Sequence, residues 1–343
     1  MESKLFAPLT LRNIRLPGRT VRSATEMFCS YPDAHVHPFE VGIYRELAES
    51  SLGMILTAHT CVAPEGRSNL YQNAIWSDEY LDDAKEIASA ASAKGTPVVL
   101  QLGHGGMKAE GNNGGLRVYT PDNMTEAEIA GVVKSFGAAA QRAKKTGYAG
   151  VMLHAAHLYL LSQFFYPEYN HRSDRYGGCA ENRFRIIREC FEEIKTVCGD
   201  DFPVFMKING DDRENTAEYH DDIAAVLNLC DRLGMDAAEI SGWNSAPHGV
   251  PEQPYFLENI RRLHTETALP LIAVGGVRTM AGIEKLFEAG ACAVSMSRPL
   301  LQNPQVIKNL AEGGSSGCTG CCFCFSPLKT DGERIIRCPH RKG

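Results

Sequence analysis

The chain has 343 residues, 44% apolar and 22% charged, with 35 Lys and Arg against 41 Asp and Glu for a formal net charge of −6. That length holds one large domain or two medium ones, and the apolar fraction is ample for a core, so wholesale disorder is excluded. A mildly acidic chain without basic runs is a poor partner for nucleic acid or an anionic membrane surface, and no apolar run approaches the roughly 20 residues of a membrane span.

The opening MESKLF lacks a charged segment followed by an apolar one, so no secretory signal is visible and a cytoplasmic location is expected. The unusual count is 12 Cys. Cys29, Cys61, Cys179, Cys190, Cys198, Cys230 and Cys292 are scattered, whereas Cys318, Cys321, Cys322, Cys324 and Cys338 share the tail. A leaderless chain keeps its thiols reduced, so clustering points to a metal or cluster site rather than a disulfide scaffold.

Short apolar runs alternate with stretches of helical period. Strands are predicted at Thr20–Ala24, Gly53–Ala58 and Pro97–Leu102. Thr125 and Glu128 then form a capping box, followed by an apolar stripe at Ile129, Val132, Phe136, Ala140 and Ala143. A strand at Ala149–His154 precedes a stripe at Phe184, Ile187, Phe191 and Ile194. The strand Pro203–Ile208 precedes a stripe at Ile223, Val226, Leu227, Cys230 and Leu233. Strands at Ala237–Ser241 and Pro270–Val274, a stripe at Ile283, Leu286 and Phe287, and a strand at Ala291–Met296 complete the alternation. Eight strands each followed by a helix is the count of an α/β (β/α)8 TIM barrel; a doubly wound sheet is the other arrangement alternation allows. The barrel is expected over 1–310. A short C-terminal Cys-rich extension is expected over 311–343, after the break at Glu312 to Gly317.

In a barrel, chemistry sits at the C-terminal ends of the strands. The fourth predicted strand ends in His154, His157 and Tyr159. Paired imidazoles can donate hydrogen bonds to a carbonyl oxygen, and a nearby phenol can deliver a proton to carbon. The same groups could also cap the strand or bind a metal. Lys207 ends the fifth strand, where a cation leaving an apolar run needs an anionic partner, in a ligand or on a neighbouring strand. After the seventh strand, Gly275 and Gly276 let backbone N–H groups approach an anion closely. Arg298, after the eighth, can pair with a phosphate in bidentate fashion.

The run from His154 through His157, Tyr159 and Gln163, continuing from Asn170 through Asp174, Arg175, Tyr176, Gly177 and Gly178 to Arg183, closely resembles the signature of the old yellow enzyme family. The stretches Leu5 to Asn13, Arg22 to Thr25, Gln101 to Gly105, Gly275 to Arg278 and Ser295 to Pro299 resemble further family motifs. The resemblance implies a barrel reductase carrying non-covalent FMN and accepting electrons from NAD(P)H. It implies flavin contacts from Ser23, Ala24, Thr25, Ala58, Gln101, Lys207, Gly275, Gly276, Ser297 and Arg298. Gln101, with a donor and an acceptor, suits the pyrimidine edge, and Lys207 would stabilise negative charge on the reduced flavin. His154 and His157 would hold a substrate carbonyl, and Tyr159 would protonate the α-carbon. Three positions depart from the pattern. Leu158 stands where Gly is usual, Glu26 where Thr or Cys tunes the flavin, and Cys179 where Ser caps the next helix. Glu26, Asp174 and Arg175 are substrate-side candidates, although the Asp174-Arg175 pair also reads as a surface ion pair.

In the tail, Cys318, Cys321 and Cys324 are separated by two residues each, and Cys338 follows after thirteen more. That spacing suits a [4Fe–4S] cluster with one remote ligand, and is compatible with a zinc site of four thiolates. It resembles the cluster-bearing tail of the subgroup that includes dienoyl-CoA reductase and trimethylamine dehydrogenase, with the third Cys one residue nearer and Cys322 as an extra thiol. The chain ends five residues after Cys338, so the flavin- and nucleotide-binding domains of the larger members are expected to be absent. Electrons would come from NAD(P)H, or from a partner flavoprotein or ferredoxin. The expected activity is hydride transfer from reduced flavin to a C=C bond conjugated to a carbonyl or in an extended conjugated system. Bilirubin-type tetrapyrroles, steroid or bile-acid enones and unsaturated carboxylates are candidate substrates. An amine demethylase or dehydrogenase and a non-catalytic electron-transfer or redox-sensing module stay open, as does oligomeric state.

Overall fold

The structure, a computed structural model, describes residues 4–244, 247, 249–325, 328–330 and 333–341. The eight predicted strands all form: β1 (Thr20–Arg22), β2 (Met54–Leu56), β3 (Val98–Gly103), β4 (Gly150–Ala155), β5 (Val204–Asn209), β6 (Ala238–Ser241), β7 (Leu271–Val274) and β8 (Ala293–Met296). Each pairs in parallel with the next, and β8 pairs with β1 through Val294↔Thr20 and Met296↔Arg22. That last pairing closes a (β/α)8 barrel and excludes the doubly wound sheet. Closure also explains why the strands read as unbroken apolar runs. β2 through β6 are buried at every position, because helices cover the outer face and opposing strands fill the inner one.

Helices α1 (Pro38–Ala48), α2 (Leu81–Ala91), α3 (Glu126–Lys145), α4 (Leu160–Phe165), α5 (Ala180–Arg183), α6 (Arg185–Cys198), α7 (Ala217–Leu233), α8 (Leu257–Glu266), α9 (Met280–Glu288), α10 (Arg298–Gln302) and α11 (Val306–Ala311) lie outside. The capping box starts α3 as the sequence predicts. The Thr125 hydroxyl accepts from Glu128 N at 3.2 Å and Glu128 Oε2 accepts from Thr125 N at 2.7 Å. At α5 the N-cap is Cys179, which makes no side-chain cap bond, so the lost Ser has no substitute there.

An antiparallel hairpin, Leu9–Thr10 with Arg15–Leu16, closes the floor. Its Leu9, Leu11 and Leu16 pack onto the barrel interior at Met54, Val99 and Phe205. Truncating Phe205 there would cost about 3–5 kcal/mol through lost burial and an unfilled cavity. The extension folds back on the barrel rather than away from it. Leu328–Thr330 pairs with Glu333–Ile335, Ile336 N donates to Met27 O at 3.0 Å, and Cys324 and Ile336 pack against Met27, Cys29 and Leu301. Among the described residues no helix is long and apolar enough to cross a membrane.

Candidate active site

Register places three polar side chains side by side at the barrel mouth: His154 on β4 opposes Lys207 on β5, which opposes Glu239 on β6. Around them lies a cavity of about 330 Å³. It brings together most of the residues singled out in the sequence: Ser23, Ala24, Thr25, Glu26, Gln101, His154, His157, Tyr159, Lys207, Gly275, Ser297 and Arg298. Gly276 lines an adjoining hollow with Gly275, Ser297 and Arg298. Three candidates lie elsewhere. Ala58 is buried with its N–H given to Tyr44 Oη at 2.7 Å, and it lines neither space. Asp174 binds Arg172 and accepts Tyr176 N–H at 3.0 Å, and Arg175 pairs with Glu126 at 3.0 Å, so this loop spends both charges on its own conformation. The Arg172 bond holds the Asp174 carboxyl below its ordinary value.

The imidazoles are held neutral. Burial strips water from the charged form and pushes His154 well below the usual range, and the neighbouring His157 ring, which cannot be charged at the same time, adds to this. His157 is lowered in the same way by burial, then by Lys207. His157 Nε2 lies 2.9 Å from Ser241 Oγ, whereas His154 Nδ1 is buried with no hydrogen-bond partner among the described residues. The Tyr159 ring lies 4.3 Å from that of His154, and burial raises its phenol, so it keeps its proton. The backbone aims these groups inward through two left-handed residues, His157 and Leu158, both at φ 58°. Gly would occupy the second at no steric cost; Leu takes it at roughly 1–2 kcal/mol.

Four further residues complete the site. Lys207 Nζ lies 2.7 Å from Glu239 Oε2 and donates to Ser23 Oγ at 3.1 Å. Glu239 is fully buried and accepts from Ser295 Oγ at 2.5 Å. Lys207 therefore faces the cavity and also has the partner on a neighbouring strand. His59, just past β2, has its Nε2 3.0 Å from Tyr159 Oη and 2.9 Å from Glu26 Oε2. Glu26 thus turns toward His59, and its Oε1 accepts Phe28 N–H at 3.0 Å. Its charge reinforces burial in lifting the Glu40 carboxyl to about 7. Gln72 faces the other nitrogen of His59. Lys108 lines the cavity with its Nζ 5.5 Å from the Tyr159 ring centre; it forms no ion pair with any described residue, and desolvation lowers its ammonium.

The donors fit a phosphate-bearing flavin. Gly275 and Gly276 take φ of 105° and 72°, and a Cβ on Gly276 would meet Pro251 at 3.0 Å and Tyr255 at 3.1 Å, so the cradle is open only to bare backbone. Arg298 borders it, its Nη1 donating to Pro247 O at 2.8 Å and to Cys322 Sγ at 2.9 Å. Among the described residues the buried Gln101 amide has only a weak contact, to Met152 Sδ at 3.3 Å, leaving its polar groups for a ligand.

Residues 4–316 match the NADH:flavin oxidoreductase / NADH oxidase family. The chain belongs to that family. It is 31% identical over 315 residues to an NADPH dehydrogenase of Halalkalibacterium halodurans, covering 89% of this chain and 93% of the relative. It is also 31% identical to one of a Geobacillus species, over 89% of this chain and 92% of the relative. Among solved structures, morphinone reductase in complex with tetrahydroNAD superposes with a TM-score of 0.75 at 26% identity, covering 91% of both chains. A 2-naphthoyl-CoA reductase shares the fold with a TM-score of 0.82 at 22% identity; the match covers 92% of this chain and 54% of that larger one. The old yellow enzyme resemblance is thus confirmed, and the protein is an FMN-dependent oxidoreductase using NAD(P)H.

In this family member the tail thiols are grouped but not converged. Cys318, Cys322 and Cys338 lie near enough to Cys324 to help burial raise its thiol to about 11. Among the described residues, however, no three His, Cys, Asp or Glu side chains are disposed to hold a metal ion. The expected [4Fe–4S] or zinc ligation by Cys318, Cys321, Cys324 and Cys338 is not formed in this arrangement. No step of the chemistry is assigned to it.

Proposed function

We propose that the protein reduces a C=C bond conjugated to a carbonyl. The observation that carries this is the convergence of two neutral imidazoles, His154 and His157, with a protonated phenol, Tyr159, on one cavity. FMN, when bound by Gly275, Gly276, Ser297 and Arg298 at its phosphate and by Gln101 and Lys207 at its ring, supplies the hydride. The chain's own groups do the rest. His154 and His157 donate N–H bonds to the substrate carbonyl oxygen and stabilise the charge that develops there. Being neutral, they do so without competing with Lys207 for the reduced cofactor's charge. Tyr159 Oη gives its proton to the α-carbon. Lys108, a cavity cation with no carboxylate partner among the described residues, favours substrates carrying an anionic group, which unsaturated carboxylates and bilirubin-type tetrapyrroles have and neutral steroid enones lack.

Anaerobic stopped-flow on Tyr159→Phe tests this reading. Reduction of the flavin by NAD(P)H is expected to stay near wild type, and reoxidation by an enone to slow about 10²–10⁴-fold. Unchanged reoxidation, or turnover of a methylated amine in place of enones, would refute it. Cluster loading of the tail remains a separate proposal, supported by the Cys spacing and the mutual proximity of the thiols. Iron and acid-labile sulfide analysis of anaerobically purified protein tests it, against zinc analysis of the same sample.

A further inference from the structure

The phosphate cradle is walled in part by the tail. Cys318 and Gly320 line the hollow of about 80 Å³ that Gly275, Gly276 and Arg298 also line. Two sets of contacts fix the tail there. Ser316 N donates to Arg278 O at 2.8 Å, and Arg278 Nη2 donates to Ser316 O at 3.0 Å. Gly249 N donates to Gly320 O at 3.0 Å, and a Cβ on Gly320 would lie 2.0 Å from Gly249 O, so the two stretches meet only because bare backbone stands there.

The Arg298 guanidinium is tied to both stretches. Its Nη1 carries two hydrogens, and two acceptors account for them: Pro247 O at 2.8 Å and Cys322 Sγ at 2.9 Å. Among the described residues Arg298 makes no other hydrogen bond. The donors that remain, on Nε and Nη2, form one edge of the fork, and such an edge takes a phosphate in bidentate fashion. Cys322 reaches Arg298 from left-handed backbone at φ 58°, a conformation that a residue with a Cβ adopts at a cost. Its own S–H has acceptors in Gly320 O at 3.6 Å and Pro247 O at 3.7 Å, which leaves a sulfur lone pair for the guanidinium.

We infer that Cys322 is a positioning residue for the FMN phosphate, an inference that rests on Arg298 being the phosphate ligand proposed above. Cys322 and the Pro247 carbonyl pin one end of Arg298, so that its other edge is ordered before the phosphate arrives. A long side chain already held in place loses less rotamer freedom on binding, and the gain appears as affinity for the phosphate alone. Cys322 acts on the phosphate only through Arg298. The fifth tail thiol thus has a task separate from the four at cluster spacing.

The test titrates the full chain, stripped of flavin, with FMN and with riboflavin, which lacks the phosphate. In Cys322→Gly the Kd for FMN is expected to rise about tenfold while that for riboflavin stays within about twofold, the change expected for one lost hydrogen bond to a charged group. Gly suits φ 58°, so the thermal midpoint of the flavin-free variant is expected to stay at or above wild type. Cys322→Ser, which keeps an acceptor, is expected to recover most of the FMN affinity. Iron, acid-labile sulfide and zinc contents of Cys322→Gly are expected to match wild type. Unchanged FMN affinity, equal weakening of both flavins, no recovery in Cys322→Ser, or loss of metal from Cys322→Gly would overturn the inference. Arg298→Gln separates the two claims. It is expected to abolish the preference for FMN over riboflavin, and adding Cys322→Gly to it should then change nothing further. If Arg298→Gln keeps that preference, the phosphate assignment itself fails. If it loses the preference while Cys322→Gly binds both flavins as wild type does, only the positioning role fails.

Discussion

Lys207 and Glu239 oppose each other on adjacent strands and meet at 2.7 Å in the barrel interior. Both side chains are nearly inaccessible, at 6% and 0%. Glu239→Gln leaves a buried ammonium without its counter-charge and is expected to cost about 3–5 kcal/mol of stability. The paired variant Lys207→Met with Glu239→Gln should lose less than the sum of the single changes, since neither charge is then stranded. Urea denaturation of the three variants measures both. In Glu239→Gln, spectroelectrochemistry should find the flavin potential raised, because Lys207 is freed to attract negative charge at the cofactor.

Stability is expected to fall as pH drops from 7 toward 5. His104 is lowered to about 3 by burial, and His154 and His157 are well below the ordinary 6.5. The unfolded chain therefore binds protons at these rings that the folded chain refuses, and stability declines below 6.5 by up to about 1.4 kcal/mol per pH unit for each ring. Glu40 has the opposite sign. Its folded carboxyl, raised to about 7, takes a proton before the unfolded one does near 4.5, so it gains stability as pH falls through that window. His35, raised by its bond to Asp83, shares the sign of Glu40 but is largely exposed, so the three buried rings leave a net loss. Urea midpoints at pH 7.5, 6 and 5 would show it as a steady decrease.

Lys108→Met is expected to raise KM for a carboxylate-bearing enone by about tenfold or more, the worth of a charge-assisted hydrogen bond at roughly 1.5–3 kcal/mol. The methyl ester of the same compound should show no such change. Steady-state kinetics on the acid and ester pair checks it, and an equal effect on both would mean the lysine does not read charge.

Gly276→Ala puts a Cβ at φ 72° within 3.0 Å of Pro251. Strain of about 1–3 kcal/mol then falls on the loop, so FMN affinity should drop about tenfold or more. Quenching of flavin fluorescence on titration into apoprotein reads it directly.

Why some of the site was legible in the chain and some was not has a physical explanation. All eight strands stand where apolar runs place them; β3, β4 and β5 each begin and end one residue later and the other five are shorter, because pairing stops where neighbouring strands stop, which local sequence does not encode. His154, His157 and Tyr159 are near neighbours in sequence, so their pattern is visible. His59 meets Tyr159 across a separation of 100 residues and has no spacing of its own to announce it. Glu239 was legible in principle, being a lone charge in an apolar strand just as Lys207 is; one observation implies the other. Lys108 sits among glycines in a polar loop, where a cation carries no signal. Asp174 and Arg175 look chemical in the sequence, yet neighbouring charges in a turn are the ones most readily consumed by the turn itself.

The bond from Ile336 N to Met27 O has a practical consequence at the bench. It makes the last stretch of the chain and the segment carrying Ser23, Thr25 and Glu26 one mechanical piece. A purification tag or a truncation at the C-terminal end would be felt in the cavity, as altered cofactor retention rather than as simple loss of solubility. The N-terminal hairpin sits at the opposite end of the barrel, so handles for purification or immobilisation belong there.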